Sequence, residues 1–135
     1  RSLPRAIQSD VKNIRGNISE EEKQIWVNIF AFLTTSGKEP YCRDIGSRLE
    51  FSEANVWEKE RKEPAAEAIW EIQVTEEMCN VYGKMHDGCA AYIVDLTTIA
   101  ASVLLGRTKG FDGSGVSQNM NIHWHHPAPL CVNSD

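Results

Sequence analysis

Residues 80–105 read NVYGKMHDGCAAYIVDLTTIAASVLL, and this stretch decides the fold. From Cys89 to Leu105 the only charged side chain is Asp95. Gly106 and Gly110 follow the run. The pattern predicts a helix from about Asp87 to Leu105, apolar on nearly every face, and such a helix is normally buried. A carboxylate buried without a partner costs several kcal/mol or takes up a proton. Asp95 is therefore the first candidate for chemistry. The alternative is a structural carboxylate bonded to a Ser or Thr. Asn80, His86 and Gly88 stand just ahead of the helix and strengthen the chemical reading.

Working outward, Ala68, Trp70, Ile72 and Val74 alternate with Ile69, Glu71 and Gln73, which predicts a strand with one buried face. Beyond the helix, residues 111–115 are rich in turn formers. Val116, Gln118, Met120, Ile122 and Trp124 then alternate with Ser117, Asn119, Asn121, His123 and His125, a second strand ended by Pro127 and Pro129. Residues 75–85 read as a loop, 59–64 as a charged turn, and 45–60 as weakly strand-like. Near the start, Ser19 with Glu22 has capping-box spacing. Ile25, Ile29 and Leu33 follow at every fourth position, with Trp26 and Phe30 beside them, and Gly37 marks the helix end. This amphipathic helix packs on its own domain or on a neighbouring subunit. A strand on each side of one buried helix predicts an α+β layer, an antiparallel sheet wrapped round that helix.

The chain has 135 residues and a net charge of -5, enough for one domain with a core. Acidic and basic residues are interleaved, so neither a nucleic acid nor a membrane surface is the expected partner. The apolar run is too short and too polar for a convincing membrane span. Cys42, Cys79, Cys89 and Cys131 include no C-x-x-C pair, which argues against a zinc knuckle and for a reducing compartment. Cytoplasmic location is expected, or mitochondrial if a targeting segment preceded Arg1. His123 and His125 fall on one strand face, within reach of a single ion, but no carboxylate or Cys lies at partner spacing. Neither metal nor cofactor is expected.

Asn80-x-x-Gly83-x-x-His86-x-Gly88, then Asp95, then Gly115-Val116-Ser117-x-x-Met120-Asn121-Ile122 closed by His126-Pro127-Ala128-Pro129, resembles the PaaI-like branch of the hotdog acyl-CoA thioesterases. The match covers roughly residues 66–130. It implies a hotdog domain over residues 19–135 behind an N-terminal arm, 1–18. It also implies a homodimer or tetramer whose active sites are shared between subunits. Asn80, His86 and the backbone N–H groups at Asp87 and Gly88 would come from one subunit, Asp95 and Ser117 from its partner. The first N–H groups of a helix lack intrahelical acceptors and sit at its positive end, so they suit a thioester oxyanion. Asp95 would act as general base on water or as nucleophile, with Ser117 holding the water or Asp95. Asn80 and His86 would position the carbonyl or the water.

Two departures stand beside the match. The family has His-Gly-Gly where this chain has His86-Asp87-Gly88, and an Asp at that place suits a helix N-cap. The family fold also continues with two more strands after Pro-Ala-Pro, so the expectation is a domain whose C-terminal strands are missing. Asn80 also suits a turn, and His86 a loop cap. The expected function is hydrolysis of acyl-CoA thioesters. The alternative is a non-catalytic hotdog protein that binds acyl-CoA or a partner. A third reading, a dehydratase of 3-hydroxyacyl thioesters, needs an acidic residue further beyond the His and a Pro-Gly after it, and the chain has neither.

Overall fold

The computed structural model describes residues 11–57 and 63–131. Most of the expected arm (1–10) and most of the charged turn (58–62) lie outside the described residues. Helix α1 (Glu20–Thr35) begins as its sequence dictates: the Ser19 hydroxyl accepts from the Glu22 N–H at 3.2 Å, and the Glu22 carboxylate accepts from the Ser19 N–H at 3.0 Å. That reciprocal pair satisfies two donors that a helix start leaves open. Ser36 is the C-cap, and Gly37 follows at a φ of 97°. The buried face is not the expected one. Trp26, Val27, Phe30 and Thr34 are buried, while Leu33 is 44% exposed. Both stripes are apolar, and the sheet selects the one that reaches its aromatic residues.

Helix α2 (Arg43–Gly46) is a single turn, and the weakly strand-like stretch 45–60 forms its strand over Glu50–Trp57. Strand β1 (Arg15–Gly16) runs parallel to β2 (Glu50–Trp57), which pairs antiparallel with β3 (Ala65–Glu71), giving a sheet of order β1-β2-β3. Gly16 has a φ of 108°, and a Cβ there would stand 1.8 Å from the Ala54 carbonyl oxygen, so only glycine brings β1 this close. Next to it, the Asn17 amide brackets Val56, donating to its carbonyl at 2.9 Å and accepting from its N–H at 2.8 Å. Ile14 and Ile18 are thereby buried and Val11 packs against the same cluster, so these three side chains anchor this stretch to the core.

One face of β3 carries Ala66, Ala68 and Trp70 into that core, as the alternation predicts. Trp70 is ringed by Phe30 of α1, 4.0 Å between centroids, and by Phe51 of β2, 4.6 Å. Helix α3 (Asp87–Lys109) adds Ala100 and Leu104 to the same core. It ends at Gly110, whose φ of 77° is the left-handed conformation typical of a helix stop.

The architecture corrects the sequence-based picture. The sheet is open, mixed and three-stranded, and it lies against one side of α3; it is not an antiparallel sheet wrapped round the helix. Residues 116–124 form no strand despite their alternation. Alternation shows which faces a strand would present, but a strand also needs a neighbour for its backbone groups, and none of the described strands pairs with this segment. In consequence α3 is mostly half-buried, with only Ala100, Leu104 and Gly106 fully inside. By length and composition α3 could cross a bilayer, with 11% of its most apolar window buried within the chain. Its packing on β3 is that of a helix in a globular α+β unit.

Ser19→Ala removes the side-chain half of the α1 cap and should cost about 1 kcal/mol of stability. Urea unfolding followed by far-UV circular dichroism measures it, with the midpoint shifted and the slope unchanged.

Candidate functional site

The turn after α3 brings the site together. Phe111 N–H donates to the Gly106 carbonyl at 2.9 Å, and the chain then folds back along the helix. A Cβ on Gly113 would stand 2.2 Å from the Ser102 carbonyl oxygen, and one on Gly106 would stand 2.6 Å from that of Phe111. Both positions must therefore be glycine for the return to lie this close. Asp112 braces the turn, its Oδ1 accepting from the Ser114 N–H at 2.9 Å and from the Ser114 hydroxyl at 2.5 Å. Those bonds, the hydroxyl first, hold its carboxyl below the usual range.

This return places Ser117 against Asp95, and the Ser117 hydroxyl donates to Asp95 Oδ1. Asp95 is exposed, which corrects the expectation of a buried carboxylate: the helix is apolar on several sides, but only Ala100, Leu104 and Gly106 along it are fully buried. Between Asp95, Ser117 and α1 runs an open groove of about 590 Å³. Its apolar walls are Leu33, Leu96, Ile99 and Val116, and Thr98 and Ser102 add hydroxyls along α3. Leu33 lines this groove because it sits on the α1 stripe that the core does not use.

The loop before α3 is a separate cluster. Asn80 closes a tight turn: its backbone N–H donates to the Lys84 carbonyl at 2.7 Å, and its side-chain oxygen accepts from the N–H groups of Tyr82 and Lys84 at 2.9 and 3.3 Å. Gly83 completes the turn at a φ of 68°. His86 is the N-cap of α3, its Nδ1 accepting from the Gly88 N–H at 2.9 Å. In the neutral ring the proton then sits on Nε2. Asp87 occupies the first helical position instead of the cap. A Cβ on Gly88 would stand 3.2 Å from His86 Nδ1, so the imidazole packs on bare backbone.

The structure thus joins Asp95 to Ser117 and His86 to Gly88, and it keeps the two pairs apart. Asp87 and Asp95 are eight residues apart on α3, about 12 Å along the axis at a rise of 1.5 Å per residue. Sequence reasoning did not single out His86 Nδ1 as the acceptor for Gly88, nor Leu33 as a groove wall. An unusual cap residue carries no spacing signal, and Leu33 had been assigned to the core. Among the described residues no group of three or more His, Cys, Asp or Glu is placed to hold a metal ion, and His123 and His125 lie in the segment that forms no strand.

Gly113→Ala should dislodge the return and separate Ser117 from Asp95, raising amide hydrogen exchange across residues 111–117 while α1 keeps its protection. The Asp112 bonds give a pH signature. A carboxyl whose folded pKa is lowered stabilises its turn above the unfolded value, near 3.8, and loses that contribution as pH falls through the folded value. The Ser114 amide resonance should therefore hold steady from neutral pH down to that value and move only in more acidic solution.

Comparison with family models, curated proteins and solved structures gives no match for this chain. One long apolar helix laid on a small mixed sheet is consistent with hotdog-like architecture in general outline.

Proposed function

We propose that the chain hydrolyses acyl-CoA thioesters in the manner of the PaaI-like thioesterases, with Asp95 as general base or nucleophile. The observation that carries this reading is the hydrogen bond from Ser117 to Asp95, bridging 22 residues of sequence at the mouth of an apolar-walled groove. Ser117 engages Oδ1 and fixes the carboxylate plane. The other oxygen is then free to take a proton from water as that water attacks the thioester carbonyl, or to attack the carbonyl itself. Leu33, Leu96, Ile99 and Val116 offer the acyl group an apolar wall. The spacing along α3 supports a site completed by a second subunit, because Asp95 and the helix start of one chain are too far apart to act on one carbonyl. In this reading the partner contributes its Asn80–Gly88 loop, with backbone N–H groups at its α3 start facing the oxyanion.

A second reading, binding of acyl-CoA without turnover, is favoured by a different observation. The Gly88 N–H is already taken by His86, and Asp87 brings a negative charge to the first helical position, next to Gly88 in the chain. Removing one oxyanion donor typically costs roughly 3 kcal/mol of barrier.

Free-thiol release from short-chain, long-chain and phenylacetyl-CoA separates the two readings. Under the first, Asp95→Asn lowers kcat by on the order of 100-fold or more with the fold intact. Ser117→Ala lowers it roughly tenfold, as loss of one hydrogen bond to a charged group does. An Asp95→Asn protein with unchanged turnover refutes the thioesterase assignment. Heat released on acyl-CoA binding, with no thiol formed by the folded oligomer, establishes the binding reading.

A further inference from the structure

The groove beside Asp95 has a definite length and a closed far end. Its floor is one stripe of α3: Asp95, Thr98, Ile99 and Ser102 stand at the spacing that sets side chains one above another on a helix. From Asp95 to Ser102, seven residues on, the axial distance is about 10.5 Å at a rise of 1.5 Å per residue. The Thr98 hydroxyl donates to the Asp95 carbonyl at 3.3 Å and is satisfied within the helix. Ile99 and Leu96 are left as the apolar middle of the floor, and past Asp95 no charged side chain lines the groove.

The return from α3 forms a strap along this stripe, fastened at both ends. At one end the Ser117 hydroxyl donates to Asp95 Oδ1. At the other, Gly113 lies directly on helix backbone: a Cβ there would collide with the Ser102 carbonyl and stand 2.7 Å from the Val103 Cα. Two backbones that leave no room for one methyl group let no alkyl chain pass between them. Between the fastenings the strap and the α3 stripe line the same cavity, and a Cβ on Gly115 would meet nothing within 4 Å. The strap thus runs opposite in direction to α3, with the gap between them open at the Asp95 end and stopped at Ser102.

We propose that this gap is the acyl subsite and that it admits a straight acyl chain of about eight carbons, with Gly113 against Ser102 as the stop. The inference rests on the acyl-CoA reading above and deepens it by naming the substrate class, medium-chain acyl thioesters. With the thioester carbonyl at the Asp95 carboxylate, the chain runs over Ile99 toward Ser102. An extended alkyl chain advances about 1.25 Å per carbon, as a zigzag of ~1.5 Å bonds does, so the stripe matches about eight carbons. The cavity, about 590 Å³, is of the size that holds small organic ligands. Ser102, small and at the stop, is the residue that sets the limit.

The test measures kcat/KM of the native full chain for saturated acyl-CoAs from acetyl to palmitoyl, each kept below its micelle-forming concentration. The value should rise about two- to fourfold with each added carbon, as burial of one methylene does, and stop rising near octanoyl. Ser102→Leu fills the far end and should move the optimum to hexanoyl or shorter. The wild-type profile alone decides if that variant fails to fold. A profile that climbs through palmitoyl, one that is flat from acetyl onward, a preference for phenylacetyl over octanoyl, or a folded Ser102→Leu protein whose optimum stays at octanoyl would each overturn the proposal. Calorimetry of the same series on Asp95→Asn protein separates this inference from the hydrolysis. Affinity that stops rising near octanoyl, with no thiol released by the wild type, upholds the subsite while the hydrolysis fails. Thiol release together with affinity indifferent to acyl length upholds the hydrolysis and overturns the subsite.

Discussion

Helix α3 carries more apolar surface than a three-stranded sheet can cover, and most other features of the molecule answer to that mismatch. Only the side facing β3 reaches the core, through Ala100 and Leu104. Elsewhere the helix stays half-buried, and the chain uses what it has left: the return through Gly113, the groove wall from α1, and the loop around Tyr41. The groove with Asp95 occupies a side of α3 that the sheet leaves open.

The site depends on two close backbone approaches more than on any side-chain contact. Gly106 and Gly113 let the chain turn back against α3, and the Asp112–Ser114 bonds stiffen that turn. Ser117 reaches Asp95 as a consequence. The loop before α3 follows a different logic: Asn80 and His86 each satisfy local backbone donors, and the helix start is built before any ligand arrives. A site that unites the two clusters needs two chains, because α3 is a rigid spacer between them.

Local chemistry was legible in the sequence, and partnership was not. The Ser19–Glu22 cap, the extent of α1, the existence of α3 from Asp87 and the inward face of β3 follow from short-range spacing, and each is found. The buried stripe of α1 was misread because Ile25, Ile29 and Leu33 are as apolar as Trp26 and Phe30. The choice lay with Trp70 and Phe51, far away in the sequence. Strand β1 has no pattern to read; it exists because Gly16 fits against Ala54. Residues 116–124 have the pattern and lack a strand to pair with. The Ser117–Asp95 contact was expected from the family resemblance, with both residues on one subunit and the Asn80–Gly88 loop on the other. The structure forms it within one chain, and no spacing rule announces it.

Asn17 acts at the sheet margin as a substitute for backbone. Its amide imitates one residue of a neighbouring strand, filling both backbone positions of Val56 just past the two-residue β1. An open margin would be a template for unwanted stacking of one molecule on the next. By occupying both backbone groups of Val56 the side chain removes that position from the sites where a further strand could pair.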